Sequence, residues 1–128
     1  MLVAVLAVLA VAISGCSSGT PTIADVDAQT FLQRAAEPGV TVIDVRTPEE
    51  FAAGHLQGAI NMDVEGPGFS TQLEALDRSG TYAVYCHSGR RSSMAATAMA
   101  GAAFMSIVNL TGGIADLQAA GGQIVAGP

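Results

Sequence analysis

The sequence predicts a single α/β domain: three layers, with a central, mainly parallel sheet of about five strands and helices on both faces. Three observations lead there. Short β-branched runs alternate with helix-like runs along most of the chain, and parallel strands need crossovers of about a dozen residues, usually helical, to connect them. The runs at 40–45 and 81–85 are apolar at nearly every position rather than at every second one, which marks strands covered on both faces. The second of these runs leads straight into a short polar loop and then a helix-like stretch. Ligands of such sheets gather at the carboxyl ends of the strands.

Taken in order, residues 1–13 are almost wholly Leu, Val and Ala. That is too short for an ordinary membrane span and has the length of a signal-peptide apolar region. Ile13-Ser14-Gly15-Cys16 follows and resembles a bacterial lipobox, whose Cys becomes a lipidated N-terminus after cleavage. The expected organisation is a signal peptide at 1–15, a lipidated tether at 16–22 beginning at Cys16, and one domain at 23–128. The chain would be exported and lipid-anchored to the cell membrane, or otherwise periplasmic or secreted.

The domain opens with a short apolar element at Ile23 and an amphipathic helix to Ala36, with Asp25 or Asp27 as N-cap. Pro38-Gly39 stops it. The run 40–46 is the strongest strand candidate. Thr47, Pro48 and Glu50 then supply an N-cap, a first-turn proline and an acid at the third helical position, and the helix ends near Gly54. Residues 55–61 return as a short strand, and residues 69–76 form a helix with Phe69, Leu73 and Leu76 on one face. Ser79-Gly80 precedes the strand at 81–85, a long Ala/Met helix spans 93–104, a strand covers 106–110, and a last helix covers 114–120. Met94, Met99 and Met105 read as core filling rather than a metal box. No Cys/His cluster has metal-ligand spacing, so neither metal nor cofactor is expected.

Between strand and long helix lies Cys86-His87-Ser88-Gly89-Arg90-Arg91-Ser92. A loop at a helix N-terminus surrounds its contents with backbone N–H groups, and a sulfur held there is favoured as the reactive thiolate. With Cys16 lipidated, Cys86 has no intrachain partner, which excludes a disulfide framework. The net charge of −6, from five arginines and eleven acids, argues against binding nucleic acid or anionic lipid through a basic surface. Arg90 and Arg91 stand out against it, because a helix N-terminus does not favour cations. An anionic partner in the loop would resolve that conflict.

Four separated motifs carry a resemblance: Asp44-Val45-Arg46 with Pro48-Glu49-Glu50-Phe51; Gly54-His55-Leu56-Gln57-Gly58-Ala59-Ile60-Asn61; Tyr85 through Ser92; and Leu110-Thr111-Gly112-Gly113-Ile114. In this order, across about 23–125, they resemble a single-domain rhodanese. The resemblance implies a rhodanese-like fold and a cysteine that accepts a sulfane sulfur as persulfide and passes it to a thiophilic acceptor. It also implies that Asp44 and Arg46 are structural supports. Leu117 stands where many relatives carry an aromatic residue.

Cysteine phosphatases share this architecture but use Cys-x5-Arg. Here Cys86 and Arg91 are spaced Cys-x4-Arg, a smaller cradle suited to sulfur, so a phosphatase is the remote alternative. Cys86 is the expected nucleophile, and His87, Ser88, Gly89, Arg90, Arg91 and Ser92 the expected substrate-binding loop. Arg91 would fix the loop or orient the donor, and Arg90 attract it. Such a basic loop favours a small dianionic donor such as thiosulfate; the acceptor is cyanide, a thiol or a protein. His87 reads as solvated filler and His55 as a capping or packing residue. The competing readings are a non-enzymatic persulfide carrier or binding module, and a thiol redox protein at the cell envelope.

Overall fold

The computed structural model describes residues 19–128; the expected signal peptide and Cys16 lie outside them. In chain order the elements are β1 (Thr22–Val26), α1 (Ala28–Ala35), β2 (Val40–Asp44), α2 (Pro48–Ala53), β3 (His55–Leu56) and β4 (Ile60–Asn61). They continue with α3 (Phe69–Glu74), β5 (Thr81–Tyr85), α4 (Arg90–Gly101), β6 (Ser106–Leu110), α5 (Ile114–Ala119) and β7 (Ile124–Val125). Thr22, assigned above to the tether, is thus already the first residue of a strand.

Five strands form one sheet in the order β1-β6-β5-β2-β4, and each neighbouring pair runs parallel. The period-2 alternation of strand side chains divides the core into two clusters. On one side Ile43, Tyr82, Val84 and Ile107 pack against Ala95, Ala96 and Met99 of α4 and Phe69 and Leu73 of α3. On the other, Val42, Ala83, Tyr85, Val108 and Leu110 pack against Phe31 of α1 and Leu117 of α5. This is the three-layer α/β arrangement that the sequence predicts. Leu117 is fully buried and fills its place without an aromatic ring.

Capping sets the register of the helices that flank the site. The Asp27 carboxylate accepts the Thr30 N–H at 2.8 Å, so Asp27 rather than Asp25 caps α1. Asp25 stays on β1 and accepts a bond from the Asn109 amide. Thr47 and Glu50 form a full capping box at the start of α2, which stabilises the helix by satisfying two otherwise orphaned N–H groups.

Three sequence expectations are corrected. The single strand expected over 55–61 is two: β3 pairs antiparallel with β7 in a separate small sheet, while β4 joins β2. A turn at Leu56–Ala59, closed by the Ala59 N–H on the Leu56 carbonyl at 3.0 Å, redirects the chain between them. The long helix begins at Arg90, not at 93, because the left-handed Gly89 lets the loop enter it at once; Phe104 lies beyond its end, fully buried. Met99 belongs to the core, but Met94 is 45% exposed and takes a contact from Arg90 Nη1 at 3.4 Å.

Candidate active site

Register places the ends of β2 and β5 side by side, with Asp44 opposite Tyr85, and Cys86 leaves the sheet at that edge. Its side chain is 1% exposed. The Gly89 N–H donates to Sγ at 3.0 Å, and the Ser92 hydroxyl lies 3.6 Å from Sγ. Burial pushes the thiol pKa up. Hydrogen bonds from the Ser92 hydroxyl and from the N–H groups of Ser92, Ser88 and Gly89 outweigh that, leaving the thiol below its ordinary 9.0. Donors converging on a sulfur stabilise its anion, which is the nucleophilic form.

The cradle holds its shape because a second loop, between β6 and α5, stands directly behind it. The Ile114 N–H donates to the Cys86 carbonyl at 3.1 Å. A Cβ on Gly113 would overlap the His87 carbonyl, so only glycine lets the two backbones approach this closely. Gly89 adopts φ of 103°, and a Cβ there would come 2.5 Å from the Thr111 carbonyl oxygen. Ser92 is fully buried, with its hydroxyl within 3.2 Å of the Gly89 carbonyl and 3.4 Å of the Leu110 carbonyl. Sulfur, loop and helix are thereby locked together.

The adjacent cations are neutralised within the chain. Arg91 donates through Nη1 and Nη2 to the two Glu50 oxygens at 2.7 and 3.0 Å, and Arg90 Nη2 lies 3.4 Å from Glu65 Oε1. The conflict that an anionic partner in the loop was expected to resolve is met within the chain, by Glu50 and Glu65. The bidentate grip on Arg91, with lesser help from the Thr47 N–H and against the opposing effect of burial, holds the Glu50 carboxyl down to about 2.

Asp44, opposite Tyr85 at the end of β2, and Arg46 just beyond it are both buried. Arg46 donates from Nε to Asp44 Oδ1 at 2.9 Å and from Nη2 to Oδ2 and to the Gly54 carbonyl, each at 2.6 Å. Its guanidinium also lies 5.9 Å from the centre of the Tyr85 ring. Burial, with the Asp44 carboxylate adding to it, drives the Tyr85 phenol well above its ordinary range, and that hydroxyl accepts the Leu56 N–H at 2.9 Å. His55 packs, as expected: its ring stacks on Phe51 at 3.6 Å and Nδ1 lies 2.8 Å from the Phe51 carbonyl. His87 and Ser88 face solvent. His87 borders a groove of about 390 Å³ whose walls include Glu50, Ile114 and Gln118.

The structure thus brings Cys86, Ser88, Gly89 and Ser92 together around the sulfur and turns the two arginines outward onto acids. Glu50, Glu65 and Gly113 join the site without having been predicted for it. Glu50 shows its capping role in Thr-Pro-Glu-Glu, but nothing local signals that the same carboxylate also reaches α4.

Residues 27–120 match the rhodanese-like domain family. The chain belongs to that family. Among rhodanese-like proteins, the thiosulfate sulfurtransferase PspE of Escherichia coli is 33% identical over 75 residues, covering 59% of this chain and 71% of PspE. YrkF of Bacillus subtilis, provisionally named a sulfur carrier protein, is 27% identical over 101 residues, covering 78% of this chain and 54% of YrkF. The chain thus spans only about half the length of YrkF. The crystal structure of the Alr3790 protein from Anabaena superposes with a TM-score of 0.72 at 28% identity, covering 80% of this chain and 92% of that one.

Proposed function

We propose that this rhodanese-like protein is a sulfurtransferase that carries sulfane sulfur on Cys86. The observation that carries this reading is the convergence of the Gly89 N–H and the Ser92 hydroxyl on a buried Sγ, which favours thiolate and then persulfide. The Cys86 thiolate attacks the outer sulfur of a donor such as thiosulfate. An Sγ–S bond forms, the S–S bond of the donor breaks, and its electron pair leaves on sulfite. The persulfide anion takes the place of the thiolate before the same N–H groups, which stabilise charge without reorganising. Cyanide or a thiol then attacks the outer sulfur and releases the Cys86 thiolate, a two-step covalent scheme with ping-pong kinetics. Arg91, tied to Glu50, serves to fix the loop rather than to grip a phosphate, which agrees with the Cys-x4-Arg spacing.

Cyanolysis of thiosulfate tests the reading. Turnover in the wild type that is lost in Cys86→Ser supports it, and a wild type no better than the mutant with both thiosulfate and a monoanionic thiosulfonate donor refutes it. A second reading, a persulfide carrier serving a protein acceptor, is favoured by the name of YrkF. Protein that gains about 32 Da at Cys86 but turns over no cyanide supports the carrier, whereas a gain of about 16 Da marks sulfenic acid and the redox alternative. The envelope location rests on residues 1–16: detergent partitioning that disappears in Cys16→Ala supports a lipid anchor, and a freely soluble native protein counts against it.

A further inference from the structure

Each guanidinium at the mouth of the Cys86 loop already faces a carboxylate of the same chain. Arg91 grips Glu50 through two bonds, and Glu65 Oε1 stands 3.9 Å from Arg91 Nε and 3.4 Å from Arg90 Nη2. Two cations thus meet two carboxylates, and a Cys86 thiolate leaves the group with one negative charge in excess. Among the described residues, the groove beyond His87 adds no free cation. Its apolar wall includes Ala53, Ile114, Ala115 and Ile124, and its one guanidinium, Arg46, is bound to Asp44 and to the Gly54 carbonyl.

Glu65 reaches this position from the turn after β4. Its N–H donates to Asp63 Oδ1 at 3.0 Å, and the neighbouring Val64 N–H donates to the Val45 carbonyl at 3.2 Å. These bonds hold the turn against the end of β2, beside the loop. The Glu65 side chain is 50% exposed and that of Arg90 69%, so any energy of the pair itself is small. It also acts on an incoming ion, because the carboxylate repels each charge that the ion carries and occupies the Arg90 guanidinium that would receive it.

We propose that Glu65 is a specificity-determining residue: by pairing with Arg90, while Glu50 holds Arg91, it sets the Cys86 site against dianionic sulfur donors and toward donors of single charge or none. The inference rests on the sulfur-transfer reading of Cys86. It departs from the donor expected of a basic loop, because this loop is basic in sequence and neutralised in space.

The test compares thiosulfate, a dianion, with methanethiosulfonate, a monoanion in which a methyl group replaces one charged oxygen. Both present the same outer sulfur to Cys86; the Sγ–S bond forms, the donor S–S bond breaks, and the electron pair leaves on sulfite or on methanesulfinate. Steady-state kcat/KM for each donor is measured in wild type and Glu65→Gln, with Cys86→Ser as the blank. At about 20 mM ionic strength, where screening extends over tens of ångströms, Glu65→Gln should raise kcat/KM for thiosulfate roughly threefold to tenfold, mainly through KM. The monoanion should gain by only about the square root of that factor, and both gains should shrink toward unity at about 0.5 M salt. Equal changes for the two donors, no change, or a gain that salt does not reduce would overturn the proposal. A wild type that forms no persulfide from either donor would instead remove the sulfur-transfer reading beneath it.

Discussion

Replacing Glu50 by Gln keeps the length of the side chain and its place in the first turn of α2, but removes the charge that Arg91 grips. The carboxyl titrates at about 2 in the fold against an ordinary 4.5, a difference that taken whole amounts to about 3 kcal/mol. The side chain is 37% exposed, so solvent screening leaves a contribution of about 1 kcal/mol. Because the folded pKa lies below the unfolded one, that stabilisation is complete above pH 4.5 and is lost as pH falls from there toward 2. For a domain of this size, it corresponds to about 4 °C in Tm. Thermal and urea melts of wild type and Glu50→Gln at neutral pH and near pH 2 measure it. The expected gap is about 1 kcal/mol at pH 7, closing in acid. A gap below about 0.3 kcal/mol at pH 7, or one undiminished near pH 2, would show that the ion pair does not hold α2 to α4.

Ser92→Ala removes the hydroxyl that helps hold the Cys86 thiol below its ordinary pKa, so the pH midpoint of iodoacetamide alkylation should rise and the rate at pH 7 should fall. An unchanged midpoint would leave the backbone N–H groups as the whole cause. Gly113→Ala should push the His87 carbonyl out of place, costing about 1–3 kcal/mol of stability as overpacking does. Persulfide formation should fall more than tenfold with it; persulfide formation at the wild-type rate would show that the second loop does not brace the first. Asp44→Ala strands a buried guanidinium, and losing one partner of a buried pair costs about 3–5 kcal/mol. Its chemical denaturation midpoint should drop accordingly, and a loss under about 1 kcal/mol would mean that Arg46 finds solvent.

The strands at 40–44, 81–85 and 106–110 were legible because burial on both faces leaves a short, mostly apolar run, a signal local to each segment. The helix start at Thr47-Pro48-Glu49-Glu50 was legible for the same reason, since a capping box closes within one turn. The split of 55–61 was not. Two-residue strands carry almost no pattern of their own, and which sheet each joins depends on partners far along the chain, Val125 and Ile124 for β3 and Ile43 and Asp44 for β4. Met94 was misjudged because helical spacing alone cannot say how wide the buried face of α4 is.

By itself the sequence determined the α/β class, the loop from Cys86 to Ser92, and the residues whose order marks a rhodanese-like protein. The first two follow from short-range sterics, hydrogen bonding and hydrophobic pattern, and the third from the resemblance of those residues to a known family. Only the tertiary structure decided the charge of the site. Arg90 and Arg91 are a basic pair in the chain, yet Glu50, 41 residues away, and Glu65, 25 residues from Arg90, neutralise them. Coulombic energy depends on distance through space, and the chain order of charges does not contain it.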